Sequence, residues 1–305
     1  MPHLDYLMRD VPATEYLATA LRKGTVTCVL GAGASASYGL PDWLVLVNRM
    51  RTDADIGLPP VAVDPRPTSE SLQIAADEVR GRLPDPTKFG ELVKKHLYLN
   101  VQLNEEALRD PLLIALGSLM MGARRGSVKK VLTFNFDSLL EWYLSLHGFS
   151  TRVVTNLPSL EGSEDVRIYH PHGFLPHPDL RLRDSEEILL GLDAVDRRLA
   201  EPSDPWYELL RHVLRTSVCI FIGLSLGSFR DRAIGPALMK IGEEIASERP
   251  LGFWLLCDAV SHAQQSSVAQ EFIRRNVVPM FCTEADVPKL LHAICRHAAE
   301  GVIAV

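Results

Sequence analysis

Three polar side chains in the middle of the chain have the types and spacing that acid–base chemistry requires. Asn135 and Asp137 stand two residues apart after an apolar run, and His172 follows a later one. An Asn side chain offers both a donor and an acceptor, so Asn135 can hold a hydroxyl group or a water. His172, with an ordinary pKa near neutrality, can accept a proton from that group. These residues predict a site in which Asn135 orients and His172 acts as general base.

A glycine-rich segment near the N-terminus has the composition of a phosphate-binding turn. The apolar run Thr25–Leu30 leads into GAGASASYGLP, in which Gly31, Ala32 and Gly33 form the turn. Small residues let backbone N–H groups approach a phosphate, and Ala34–Ala36 can begin a helix whose N-terminus favours an anion. The segment fits the looser G-x-G-x-x-G/A pattern and lacks the Lys-Ser/Thr of a P-loop. A tight strand-to-helix turn with no ligand is the alternative.

Seven strand patterns predict the elements that must position these residues. They are Thr25–Leu30, Lys130–Asn135, Thr151–Thr155, Val166–His170, Ser217–Leu224, Leu251–Cys257 and Val277–Cys282. Helical patterns separate most of them, at Asp137–Leu146, Asp204–Arg215, Arg230–Ser247, Ser261–Arg275 and Val287–Ala298. Alternating buried strands and helices predict an α/β fold, a Rossmann-like, doubly wound and mainly parallel sheet.

Between the first two strands the sequence has helical patterns and no convincing strand. The candidate helices are Trp43–Arg51, Ser69–Arg80, Lys88–Leu97 and Glu105–Met121. We therefore predict one domain over 1–305, with a helical insertion at 44–125 and a Rossmann-like core built from 20–43 and 126–300. Its place in the chain suggests that the insertion covers the pocket.

Composition narrows the class of protein. The chain has 305 residues and a formal net charge of −6, which argues against a surface devoted to nucleic acid. Its N-terminus is polar, and no apolar stretch approaches the length of a membrane span. Five scattered cysteines, none in a C-x-x-C pair, predict reduced core thiols and a cytoplasmic protein.

Small or polar residues follow five of the predicted strands. They are Gly31, Gly33 and Ser35 after the first, Asn135 and Asp137 after the second, His170, His172 and Gly173 after the fourth, Gly223, Ser225 and Ser228 after the fifth, and Cys257 and Asp258 after the sixth. Ligands of doubly wound sheets bind beyond the carboxyl ends of the strands, so one site at that rim is expected.

These motifs, in this order, resemble the sirtuin superfamily, and more closely the SIR2-like domains of bacterial antiphage defence. The family's GAGxS loop running into G-[IL]-P-D is matched by Gly31, Ala32, Gly33, Ser35, Gly39, Leu40, Pro41 and Asp42. Its T-Q-N-x-D is matched by Thr133, Asn135, Phe136 and Asp137, its H-G by His172 and Gly173, and its G-[TS]-S by Gly223 and Ser225. The resemblance spans roughly residues 20–300.

Two departures from the deacetylating sirtuins stand out. Residues 174–218 contain no cysteine, which rules out their structural thiolate zinc site, so no metal is expected. Trp43 and Leu44 follow Asp42 where those enzymes have Phe and Arg. Both departures point away from protein deacetylation and fit the defence-type relatives that cleave NAD⁺ with water.

The resemblance implies roles for the site residues, with NAD⁺ as substrate. Asn135 and His172 would be catalytic, and the NAD contacts would come from Gly31, Ala32, Gly33, Ser35, Pro41, Asp42, Asp137, Gly223 and Ser225. At Asp137, contact with the nicotinamide carboxamide and capping of the following helix are equal alternatives. At the strand-end residue Asp258, contact with the adenosine ribose competes with capping of its loop.

Two other histidines receive structural interpretations. His170 alternates with His172 on a predicted strand, so the two would face opposite ways and His170 would be structural. His177 lies in a Pro-rich loop and is expected to be solvated.

The function implied is NAD⁺ hydrolysis to nicotinamide and ADP-ribose by the gated effector of an antiphage abortive-infection system. The expected partners are further copies of this chain and a separate sensor, a HerA-like ATPase or a short Argonaute, with no direct contact to nucleic acid or membrane. A regulatory module that binds NAD or ADP-ribose without turnover is the alternative, followed by a deacylase or ADP-ribosyltransferase. NADP⁺ as substrate and cyclisation as reaction stay open.

Overall fold

Seven strands form one sheet in the order β3-β4-β2-β1-β5-β6-β7, and every neighbouring pair is parallel. The computed structural model describes residues 4–64, 67–122, 124–160, 162–191, 198–199, 201–230, 234–245 and 249–300. The strands are β1 (Val26–Leu30), β2 (Lys130–Thr133), β3 (Thr151–Val154), β4 (Val166–Tyr169), β5 (Val218–Ile222), β6 (Gly252–Leu256) and β7 (Val277–Phe281). This confirms the predicted α/β, Rossmann-like parallel sheet.

Helices cover both faces of the sheet, which is why four strands are buried along their whole length. They are α1 (Leu4–Leu7), α2 (Asp10–Arg22), α3 (Trp43–Arg51), α4 (Ser69–Arg82), α5 (Phe89–Leu97), α6 (Pro111–Met120), α7 (Leu139–Leu146), α8 (Pro205–Thr216), α9 (Leu226–Arg230), α10 (Gly235–Ile245), α11 (His262–Arg274) and α12 (Val287–Glu300). Helices α2, α6 and α12 pack on one face, and α8, α10 and α11 on the other.

The direction in which successive strands are added to the sheet reverses between β1 and β5. From β1 it builds β2, β3 and β4 on one side, then crosses to β5 on the other side of β1. The last residues of these strands are in register, since Leu30 pairs with Thr133 and with Ile222. Three loops therefore leave the sheet side by side at its switch point, where such sheets bind ligands.

The predicted helix directly after β1 is wrong. The chain forms two short 3₁₀ turns, Ala32–Ala34 and Ala36–Tyr38, closed by hydrogen bonds from Ser35 N to Ala32 O (3.1 Å) and from Gly39 N to Ala36 O (3.0 Å). Gly39 then adopts the left-handed conformation with φ of 81°, which ends the turn before α3.

The helices predicted as an insertion pack in two ways. Helices α3, α4 and α5 share an apolar cluster with Phe136, Leu139 and Leu175 of the sheet domain. Helix α6 instead packs against α12 in the layer that covers the sheet. It begins only at Pro111, because Asp110 caps it through Leu112 N and Leu113 N (both 2.9 Å). The domain limits 44–125 stay a prediction.

Part of one expectation lies outside this description. The helix predicted over Arg230–Ser247 includes residues 231–233 and 246–248, which are not among the described residues. Within the described ranges, the helices all fall short of the length and apolar character that a membrane crossing requires.

Candidate active site

Asn135, just beyond the end of β2, is fixed by its own amide. Its Nδ2 donates to the carbonyl oxygen of Gly31 and to Oγ of Ser35, both at 3.1 Å. These bonds use both amide hydrogens. The side-chain oxygen Oδ1 makes no hydrogen bond within the described part of the chain, and the residue is half-buried. Asn135 therefore presents an acceptor, rather than the donor and acceptor expected from its type.

Ser35 links Asn135 to Asp137. Its hydroxyl accepts the bond from Asn135 and donates to Oδ2 of Asp137 (2.9 Å), while Oδ1 of Asp137 accepts from Leu139 N (3.1 Å) at the start of α7. Burial raises the pKa of the Asp137 carboxyl, and the two hydrogen bonds oppose that shift. Asp137 thus accepts from the first backbone amide of α7, although the N-cap position itself is Ser138, and contact with nicotinamide stays a prediction.

His170 and Glu141 form a buried hydrogen-bonded pair that holds the backbone of Asn135. The backbone oxygen of Asn135 lies 3.0 Å from Nδ1 of His170, and Nε2 of the same ring lies 2.7 Å from Oε1 of Glu141. A carbonyl can only accept, so Nδ1 carries a proton and the second ring nitrogen shares one with the carboxylate. Both side chains are fully buried. His170 therefore has the structural role that the sequence suggested.

His172 lies in a turn and not on a strand, which corrects the predicted alternation with His170. Strand β4 ends at Tyr169, and Gly173 N closes the turn by donating to His170 O (3.1 Å). The chain leaves the sheet here because Gly173 has φ of 104°, a conformation that L-residues avoid. The side chains of His170 and His172 thus have different surroundings because of this turn, and not because they alternate along a strand.

The His172 ring has an unusual electrostatic environment. Its centroid lies 5.1 Å from that of Phe134 and 6.4 Å from that of Phe136, the residues on either side of Asn135. Burial, together with the charge of Arg198, lowers the pKa of His172 to about 4, although a hydrogen bond to the Phe134 backbone opposes this. Nε2 is buried without a hydrogen-bond partner among the described residues. In a neutral imidazole that is protonated on Nδ1, this unpartnered Nε2 is the acceptor.

The glycines of the two loops are required by the packing of the loops on each other. Gly33 N donates to Gly223 O (2.9 Å), and a Cβ on Gly33 would lie 2.9 Å from the Gly223 Cα. Gly223 has φ of 69°, and a Cβ there would overlap the backbone nitrogen of Ala34. Gly31 N is also used, since it donates to Ile222 O (2.9 Å). The packing of the two loops therefore explains why these positions are glycine, without any ligand. Phosphate binding stays a prediction.

The remaining predicted contact residues shape the same rim. Asp42 caps α3 by accepting from Val45 N (2.8 Å), and Ser225 Oγ accepts from Ser228 N (3.2 Å) in α9. Asp258 Oδ2 accepts from Leu226 N (2.6 Å), the first backbone amide of α9 in the neighbouring loop after β5. Pro41 is buried beside Asp42, and Ala32 is half-buried in the first 3₁₀ turn. Their contacts with NAD stay predictions.

Two functional candidates were missed by sequence reasoning, and one histidine was misjudged. Arg198 donates to Pro171 O (3.2 Å) and pairs with Glu187, which brings its charge to His172. Neither Arg198 nor the buried Glu141 has a motif that would reveal it. His177 is buried, not solvated, because its backbone nitrogen donates to Ser138 Oγ (3.0 Å) and its ring bonds Val101 O (3.2 Å).

A small cavity lies behind Asn135 at the switch point. Its polar lining comes from Ser35, Thr133, Asn135, Asp137 and Glu141, and Ala34 and five leucines form the remaining walls. The space suits about one water molecule, with enough polar partners to hold it. Among the described residues, no three His, Cys, Asp or Glu side chains form a group that could hold a metal ion.

Comparison with known families finds a match for part of the chain. Residues 129–275 match the family model described as a SIR2-like domain, a range that runs from β2 through α11. It includes Asn135, His172 and the loop after β5, whereas the glycine loop after β1 lies outside it. No curated protein matches the chain. Residues 129–275 are therefore similar to a SIR2-like domain, and the parallel Rossmann-like sheet is consistent with that fold.

Proposed function

We propose that this chain is an NAD⁺ glycohydrolase that releases nicotinamide and ADP-ribose. The supporting observations are an amide oxygen of Asn135 that is left free to accept and an unpartnered imidazole nitrogen of the neutral His172, which follow the neighbouring strands β2 and β4 in the range that matches a SIR2-like domain. SIR2-like domains bind NAD⁺, and the family match supports NAD⁺ as the substrate of this proposal.

Cleavage of the nicotinamide–ribose bond does not require a strong general acid. Cleavage of the nicotinamide–ribose bond builds positive charge on the ribose, as in glycoside hydrolysis, and nicotinamide leaves as a neutral molecule. Asn135 Oδ1 accepts a hydrogen bond from the attacking water or a ribose hydroxyl and so orients it. His172 Nε2 accepts the proton that this group loses. The low pKa keeps His172 in the basic, neutral form across the neutral range.

We further propose that the activity is gated, as an effector of antiphage abortive infection must be. The support is the resemblance to defence-type SIR2-like domains in the motifs GAGASASYGLP, TFNFD, HPHG and GLSLGS. In this proposal the chain forms homo-oligomers and a separate subunit supplies the trigger, with a HerA-like ATPase or a short Argonaute as candidates.

A binding module without turnover is the second candidate. It is favoured by the number of polar groups already committed to internal hydrogen bonds, among them Ser35, Asp137, Ser225 and Asp258. Such a module would hold NAD or ADP-ribose and signal to a partner.

The deciding measurement is nicotinamide release from NAD⁺ by the purified chain, alone and with any co-encoded neighbour. Asn135→Ala and His172→Ala are each expected to reduce release by roughly 10²-fold or more, the usual contribution of a general base or an orienting group. Asn156→Ala and His262→Ala, at exposed positions, serve as matched controls. NAD⁺ binding without release under every condition would favour the binding module.

A further inference from the structure

Two of the five cysteines meet at the edge of the sheet. Cys257 follows β6 and Cys282 follows β7, and their sulfur atoms lie 3.7 Å apart. The strands are in register up to Leu256 and Phe281, and Cys282 N donates to Leu256 O (3.1 Å). Neighbouring strands lie about 4.8 Å apart, within the roughly 4.4–6.8 Å Cα separation of disulfides. The two sulfurs, already 3.7 Å apart beyond paired strand ends, thus have a spacing from which a disulfide can form.

Exposure separates this pair from the other thiols. Cys28, Cys219 and Cys295 are buried, whereas Cys257 and Cys282 are each partly exposed. Burial raises the pKa of both Cys28 and Cys219 to about 12, which keeps those thiols protonated and unreactive. An oxidant in solution can thus reach the pair and not the core thiols.

The two thiols are chemically unequal. A hydrogen bond between them lowers the pKa of Cys257 and raises the pKa of Cys282. Cys257 is therefore the sulfur that ionises first and attacks, and Cys282 is placed to resolve the product.

We propose that Cys257 and Cys282 form a reversible disulfide when a hydroperoxide oxidises them. The Cys257 thiolate attacks one peroxide oxygen, the O–O bond breaks, and a sulfenic acid and hydroxide result. The Cys282 sulfur then attacks the sulfenic sulfur and expels its oxygen as hydroxide. With hydrogen peroxide the net reaction converts two thiols and one peroxide into one disulfide and two waters.

The proposed disulfide would lie next to a residue that fixes one loop of the candidate site. Asp258 directly follows Cys257, and its carboxylate holds the first backbone amide of α9, in the loop after β5. The disulfide would form one residue from the group that fixes this loop. The proposal itself does not depend on NAD⁺ cleavage.

Intact-mass spectrometry of the full chain before and after hydrogen peroxide tests the inference. We expect the loss of two hydrogen masses, a fall from five to three titratable thiols in denaturant, and full reversal by dithiothreitol. Peptide mapping should join the segments that carry Cys257 and Cys282.

The variants make the assignment specific. Cys257→Ser and Cys282→Ser, at partly exposed strand ends, should each abolish the mass loss, whereas Cys295→Ala should retain it. Circular dichroism and the unfolding midpoint of each variant check that it is folded. Five titratable thiols after oxidation of the wild type, or a mass loss that persists in Cys257→Ser and Cys282→Ser, would overturn the proposal.

Discussion

Asn135 and His172 are positioned by different physical means. Hydrogen bonds hold Asn135 on both its side chain and its backbone, through Gly31, Ser35 and His170. His172 is held by two aromatic rings and a backbone carbonyl, with an imidazole nitrogen left unpaired. An unpaired buried acceptor costs free energy, so its retention is expected where a ligand or a reaction uses it.

The depressed pKa of His172 makes stability depend on pH. In the unfolded chain this histidine takes up a proton near pH 6.5, whereas in the folded protein it does so only near pH 4. The unfolded state therefore binds more protons between these values, and stability falls as the pH is lowered through this window. The difference corresponds to up to about 3 kcal/mol.

Urea unfolding at pH 7.5 and pH 5 measures this effect. His172→Gln, which does not titrate, is expected to lose less stability than the wild type between the two pH values. Replacement of the exposed His262 by glutamine is the control, and this variant should lose as much stability between the two pH values as the wild type. An equal loss in His172→Gln and the wild type would contradict the assigned pKa shift.

At the scale of elements, sequence reasoning succeeded where one strand or helix decides its own structure. The strand patterns predicted all seven strands, and the apolar run Ser217–Leu224 is the strongest, because burial on both faces of a parallel sheet demands such runs in its central strands. It failed where distant segments meet. The 3₁₀ turns after β1, the burial of His177 and the contact of Cys257 with Cys282 depend on loops packing across the rim, which no local pattern encodes.

The packing of the β1 loop against the β5 loop predicts the effect of a single methyl group. Gly223→Ala would place a Cβ in a left-handed conformation and against the Ala34 backbone nitrogen. The conformation alone costs roughly 1–2 kcal/mol, and the overlap adds to it. We expect a clear fall in the free energy of unfolding, measured by urea titration.

A second glycine provides the matched control for this change. Gly81 lies in the last turn of α4, is exposed, and has open space where a Cβ would be added. Gly81→Ala is therefore expected to stabilise the protein by about 0.5 kcal/mol, since alanine loses less backbone entropy. Equal effects of the two substitutions would show that the loops do not pack as described.

At the scale of the whole molecule, the apolar cluster of α3, α4 and α5 is shared with the sheet domain. Phe136 and Leu139 follow β2, and Leu175 follows the His172 turn, yet all three belong to this cluster. The residues beside the candidate site thus also attach the helices to the core. We expect these helices and the sheet to unfold together.

Hydrogen exchange with mass spectrometry across a urea series tests that cooperativity. Peptides from α5 (Phe89–Leu97) and β5 (Val218–Ile222) should lose protection at the same urea concentration. Phe136→Ala removes a shared anchor, so it should let α5 exchange at lower urea than β5. Earlier loss of α5 in the wild type would instead identify the helices as a separate folding unit, free to open over the site without disturbing the sheet.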